Sequence, residues 1–356
     1  MSRPMDRQRL NHVLLAGGAA VLLLAGAAAT LFVQAQRDWQ PEVSGPVLPG
    51  WAETVANARE IEITGPDDHF TLVRGENGWV MPSRDDHPVI PERLAELDAF
   101  FADIAYTGAR TADPAKHARL QLADAGQPGA GTQLTVRGSD GAVLTDIMIG
   151  AVRNGSAYLR FPGRPRTYAA QLTGETTAIP VIALADNWLD LDFIALEASD
   201  IARTSITPER GPAYVLERAG QLERNFSLRQ PGGWRPITAG AGNGPASALV
   251  RMRFRDVRSA DRLHGESVGR HVGETFSGLR LTLDILALGD TRWVTVTAMA
   301  VTDGGAERAA AINARTAGWA YLLSDLSLDR LLRPLDEIAD YMGASNAPEP
   351  GDDSGQ

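Results

Sequence analysis

Four arginines, Arg251, Arg255, Arg258 and Arg262, recur at spacings of four, three and four residues, and on a helix they form one stripe. Arg253 stands beside them, and Asp256 and Asp261 offset them only in part. A row of guanidiniums pairs carboxylates or phosphates through two-pronged hydrogen bonds, so the stripe is a candidate docking face for an acidic partner or for lipid headgroups. The competing reading is a solvated face whose charges pair locally, at roughly 0.3 kcal/mol per pair.

The triplets Asp67-Asp68-His69 and Asp85-Asp86-His87 offer carboxylate and imidazole together, a combination that binds divalent metals. Aspartate also favours turns through bonds to nearby backbone, and both triplets fall where turns are expected. Gly265-Glu266-Ser267-Val268-Gly269 matches the Gly-x-Ser-x-Gly elbow of serine hydrolases. No apolar strand is expected to lead into it, and no histidine follows His271, so it reads as a glycine-rich loop that matches by chance. His264 and His271 flank that loop at a spacing unlike a zinc helix. Asp190 and Asp192 are expected on the solvated face of a strand through Trp188–Phe193. Trp79, Trp188, Trp234 and Trp319 read as core or sheet-edge packing. With no cysteine, no phosphate-binding glycine loop with lysine and no His-Glu-x-x-His, the residues designate no catalytic site, no metal site and no cofactor.

The elements that must position these groups begin with an apolar stretch. No charged side chain occurs from Leu10 to Gln36, and residues 12–34 are long enough for a transmembrane helix. Arg3, Arg7 and Arg9 precede it and Arg37 follows, which places the N-terminus (1–11) in the cytoplasm and the main domain in the periplasm, anchored in the inner membrane. A cleaved signal peptide is the alternative, with Val33-Gln34-Ala35 as its cleavage site. The net charge of −10 argues against a nucleic-acid partner. Without cysteine, the exported part folds on its core alone.

Residues 35–57 are rich in proline and glycine and read as a tether. Two copies of one pattern follow, over 58–198 and 199–340, and a polar tail over 341–356 reads as disordered. Each copy shows alternating strands, a Gly-Trp pair, a helix, a long hairpin and short strands. In the first these are Glu60–Thr64, Phe70–Arg74, Gly78-Trp79, a helix from Pro91 and the hairpin Thr132–Ile149. In the second they are Ile201–Ile206, Tyr214–Arg218, Gly233-Trp234, a helix from Pro245 and the hairpin Leu279–Thr297, with Ala310–Asn313 and Gly318–Leu323 as closing strands. Period-two apolar alternation and Asp-Gly or Gly-Asp bends support the strands. Leu94, Leu97, Phe101 and Ile104 fall on one face of the first helix. The expected fold class is α+β: a transmembrane helix, then two similar units of mostly antiparallel sheet, each with a packed helix.

This ordering, from the membrane helix through Gly78-Trp79 and the Thr132–Ile149 hairpin to Trp188-Leu189-Asp190, resembles the bacterial family DUF4340, a domain of unknown function, over about residues 10–200. The resemblance implies an envelope protein that assists an ABC-type export or assembly complex, in company with its permease or ATPase subunits. It supplies no catalytic residues. A membrane-tethered accessory or scaffold is therefore the expected function, and an envelope lipid- or glycan-binding domain with a groove between the repeats is the alternative.

Overall fold

The computed structural model describes residues 20–33, 41–173 and 182–343. Residues 20–33 form a helix, α1, about 21 Å long at the usual rise, and its apolar side chains are exposed all round. No helix among the described residues is long and apolar enough to cross a membrane. The expected span, 12–34, includes residues 12–19 and 34, which lie outside the described residues, as do 344–356 of the expected tail.

The rest divides into two compact units. The first comprises residues 41–79 and Ile90–Trp188, and the second comprises Val80–Val89 and the described chain from Leu189. The ten residues Val80–Val89 thus belong with a unit whose remaining sequence starts a hundred residues later, which the pattern of repeats does not foretell.

The first unit contains α2 (Trp51–Asn57), β1 (Glu60–Thr64), β2 (His69–Gly75) and the start of β3 (Gly78–Met81). The chain leaves for the second unit through β4 (His87–Pro88) and returns as α3 (Pro91–Asp103), followed by β5 (Ile104–Ala109). Then come β6 (Thr132–Arg137), β7 (Val143–Arg153), β8 (Ser156–Arg160) and β9 (Thr167–Leu172). The antiparallel sheet runs β2-β1-β6-β7-β8-β9-β5. Alternation sets its buried side: Ile61 and Ile63 of β1 face inward with Phe70, Leu72, Leu134 and Val136. The expected first helix is present, with proline in its first turn and Leu97, Phe100 and Phe101 buried. The expected tether is largely part of this unit. Val47 N–H donates to Ile104 at 3.0 Å and Tyr106 N–H to Gly45 at 2.9 Å, so this stretch covers the open edge of β5. Trp51 is buried against Phe101 and donates to Asp98 at 2.8 Å.

The second unit contains β10 (Ile201–Thr207), β11 (Tyr214–Glu217), β12 (Ser227–Gln230), β13 (Trp234–Pro236) and a single helical turn, α4 (Asn243–Ala246). It continues with β14 (Phe254–Ser259), β15 (Glu266–Thr275), β16 (Leu279–Leu288), β17 (Thr291–Ala300), α5 (Ala306–Thr316), β18 (Trp319–Leu323), α6 (Asp325–Leu331) and β19 (Ala339–Tyr341). Its sheet runs β12-β11-β10-β15-β16-β17-β18-β14, and β13 pairs with β19 in a separate ribbon. Strand for strand, β1, β2, β6, β7, β8, β9 and β5 occupy the places of β10, β11, β15, β16, β17, β18 and β14.

The structure corrects the expected pattern at several points. The hairpin at 279–297 answers β7–β8 rather than 132–149, because the expected glycine-rich loop is strand β15. Its glycines mark where other elements press on the sheet: a Cβ on Gly269 would lie 2.7 Å from Leu332, and one on Gly273 would lie 2.3 Å from Leu249. The helix from Pro245 stops after one turn, and the packed helix is α5, read as a closing strand. Alanine-rich α5 buries Ala309, Ile312 and Thr316 on one side. Its Asn313 side chain bonds both the N–H and the C=O of Ala298, at 2.8 Å each, beyond the end of the β17–β18 ladder. Finally, Asp190 and Asp192 lie outside any strand, and Asp190 pairs with Arg315 at 3.1 Å.

Candidate interaction site

Strand β14, at the edge of the second unit's sheet, carries Arg255 and Arg258 of the arginine stripe, with Arg251 before it and Arg262 after it. It is a strand and not the expected helix, so Arg251, Arg255, Arg258 and Arg262 share no helical face. A bulge explains the deceptive spacing. Phe254 pairs with Leu323 and Asp256 with Leu322, so Arg255 is the extra residue and both Phe254 and Val257 point inward. Apolar residues three apart then imitate a helix.

Opposite β14 sits the hairpin Val80–Val89. Val80 pairs with Pro88 and Met81 with His87, and Met81, His87 and Val89 are buried. At its tip Asp85 and Asp86 take left-handed backbone angles, φ 56° and 61°, which aspartate tolerates better than most residues. The tip aims the Asp85 carboxylate at the end of β14. Ser259 N–H donates to it at 2.9 Å and Arg262 donates to its other oxygen at 2.5 Å. Arg84 forms an ion pair with Asp256, and Arg258 lies 3.6 Å from the second oxygen of that carboxylate and donates to the Ser83 carbonyl. Two of the four arginines are therefore occupied by their own unit. Arg253 and Arg255 are exposed, and the side chain of Arg251 lies outside the described residues.

Asp85 contributes through the bond from Ser259 more than through Arg262, whose side chain is 73% exposed. Asp85→Ala is expected to destabilise the second unit by about 1–2 kcal/mol and Arg262→Gln by less than about 0.5 kcal/mol, measured by chemical denaturation. Equal losses in the two variants would contradict this division.

In each aspartate-histidine triplet the two aspartates lie in a bend or turn and the histidine opens the strand that follows. Asp68 accepts the N–H groups of His69 at 2.9 Å and Ala185 at 2.8 Å, while His69 meets Glu62 at 3.0 Å. The His69 bond, with help from Arg137 and against partial burial, holds the Glu62 carboxyl below its usual range. His87 packs edge-on against Trp319, with ring centroids 4.6 Å apart, and burial lowers its pKa despite its bond to the Pro88 carbonyl. Among the described residues no three His, Asp or Glu side chains are grouped to hold a metal ion. Ser267 is exposed on β15, opposite Leu286, not on a strand-to-helix elbow. His271, on the same strand, is fully buried. Its Nδ1–H donates to Leu331 at 2.9 Å, and its Nε2 has no partner among the described residues. Of the four tryptophans read as packing, only Trp188 is fully buried, and it donates to Ile182 at 3.0 Å.

The model of the Domain of unknown function (DUF4340) family matches residues 79–264. The chain belongs to this family. The DUF4340 match begins one residue before the hairpin at 80 and ends two residues beyond Arg262, so both the Arg84–Asp256 and Asp85–Arg262 pairs fall inside it. It therefore reaches further along the chain than the resemblance over 10–200, through the whole of β14. No curated protein and no solved structure matches the chain.

Proposed function

We propose that this DUF4340 protein is a membrane-tethered periplasmic accessory or scaffold of an ABC-type transport or envelope-assembly complex. The observation that carries the tether is α1: Val21, Leu22, Leu23, Leu24, Leu31, Phe32 and Val33 are each at least half exposed, on a segment without charge. A helix apolar all round belongs in a core or in lipid, and this one has no core around its described side chains. The basic residues before it favour a cytoplasmic N-terminus and a periplasmic main domain. Two sheet units in which Asp68, Asp85, His87, His271, Arg160 and Arg218 are held by local bonds or packing suit a binding or scaffolding role. The partner class, permease or ATPase subunits, rests on the family resemblance alone.

Two measurements test this. A C-terminal alkaline phosphatase fusion is expected to be active and a C-terminal fluorescent-protein fusion dark, the reverse result placing the domain in the cytoplasm. Crosslinking in intact membranes followed by mild-detergent pull-down is expected to recover transporter subunits. Arg253→Glu with Arg255→Glu is expected to weaken that recovery severalfold, and unchanged recovery would end the docking role of these exposed arginines.

One observation favours ligand binding as the second reading. A cavity of about 390 Å³ in the second unit sets Leu328, Leu332 and Pro334 beside Arg210, Arg333 and Glu337. Retention of a lipid or glycan by the purified protein, seen by native mass spectrometry, would move this reading ahead.

A further inference from the structure

The two Gly-Trp segments meet different fates. After Gly78-Trp79 the chain enters the second unit, and Met81, His87 and Val89 are buried there. After Gly233-Trp234 it forms the ribbon β13–β19, and the six residues Arg235–Gly240 are all exposed. Alternation along the ribbon gives it one distinctive face. Arg235 lies opposite Asp340 in the register, and Ile237 and Met342 follow two residues on from each, on the same side. These four line an open cavity of about 670 Å³. Ile237 is 52% and Met342 64% exposed. Among the described residues, neither the Arg235 guanidinium nor the Asp340 carboxylate has a hydrogen-bond or ion-pair partner, although they face each other across the ribbon.

We propose that this face is where a second copy of the chain docks. A two-fold interface brings a patch against itself, so it must be self-complementary. This patch is: it carries one unpaired positive and one unpaired negative group, with an apolar side chain beyond each. Turned over about an axis along the strands, it sets Arg235 against Asp340 of the other copy, and brings Ile237 beside the other copy's Ile237 and Met342 beside its Met342. Pairing between copies gives both charged groups the partner that the ribbon alone does not.

The test uses the full chain in mild detergent, followed by sedimentation velocity over a concentration series. The wild type is expected to dimerise. Ile237→Asp, Arg235→Asp and Asp340→Arg are each expected to weaken dimerisation at least tenfold, and an equimolar mixture of the R235D and D340R chains to associate again, because opposite charges then meet only between copies. Restoration separates a specific contact from general damage or from association through α1. A wild type monomeric at every concentration overturns the proposal, as does a dimer indifferent to these changes. So does a chain that dimerises only after residues 344–356 are removed, because the tail is then the occupant of the face.

Discussion

Arg218→Ala is expected to destabilise the second unit by about 3–5 kcal/mol, more than any charge change on its surface. Arg218 is 7% exposed, and its guanidinium is spent on backbone. Nε donates to the Ile201 carbonyl at 2.7 Å, one terminal nitrogen to Glu223 at 3.2 Å and the other to Ala198. Its centre lies 4.7 Å from the Phe226 ring and 5.7 Å from the Phe276 ring, so the cation is held between two aromatic groups. Removing it leaves three carbonyls that lose a charge-assisted bond, each costing about 1–3 kcal/mol where water cannot replace the donor. Some water entry keeps the total below the simple sum. Arg218→Lys is expected to recover less than half, because a single ammonium cannot reproduce a planar fork aimed at three acceptors. Urea denaturation reads the effect, and a loss below about 1 kcal/mol would refute a structural role for this side chain.

Acid is expected to weaken the same unit through His271. Burial pushes this imidazole down to about 4, against the pull of the Leu331 carbonyl, which favours the charged form. No charged side chain contributes appreciably to the shift. The unfolded chain takes up a proton near the ordinary histidine value of about 6.5, whereas the folded chain resists until about 4. Between those limits the unfolded state binds more protons, so stability is full above pH 6.5, falls as the pH drops, and levels off below 4. At about 1.4 kcal/mol per unit the loss is roughly 3 kcal/mol. His87, also lowered by burial, adds to it in the same direction. Denaturation midpoints between pH 8 and 4 should follow this slope in the wild type. His271→Gln keeps a donor for Leu331 without titrating there, and should flatten the slope while leaving the contribution of His87 in place. An identical slope in the two proteins would show that His271 is not the source.

Most of the strands were legible because one buried face imposes a period of two, as Ile61 and Ile63 or Leu279, Leu281, Leu283 and Ile285 illustrate. The misreadings share a cause: tertiary contact overrode a local pattern. The bulge at Arg255 shifts the phase of β14, and no local rule announces an unpaired residue. Gly269 looks like part of a loop until Leu332 is seen lying over it. Of the candidate site, the arginines and the Asp85-Asp86 turn were visible one at a time. Their association was not, because Asp85 and Ser259 stand 174 positions apart and nothing local to either specifies the other.

The crossing of the chain at Trp79/Val80 and back at Val89/Ile90 has a consequence for synthesis. Residues leave the ribosome in order, so the Val80–Val89 hairpin emerges long before its seat, and Ser259 follows Asp85 by 174 residues. Throughout that interval Met81 and His87, buried in the finished protein, have nothing to bury against. A polypeptide stopped at Trp188 would carry the hairpin without a place to put it, and one begun at Leu189 would present β14 with its outer border bare. Neither half is thus a finished module, and an early segment must wait for a late one before it can be buried.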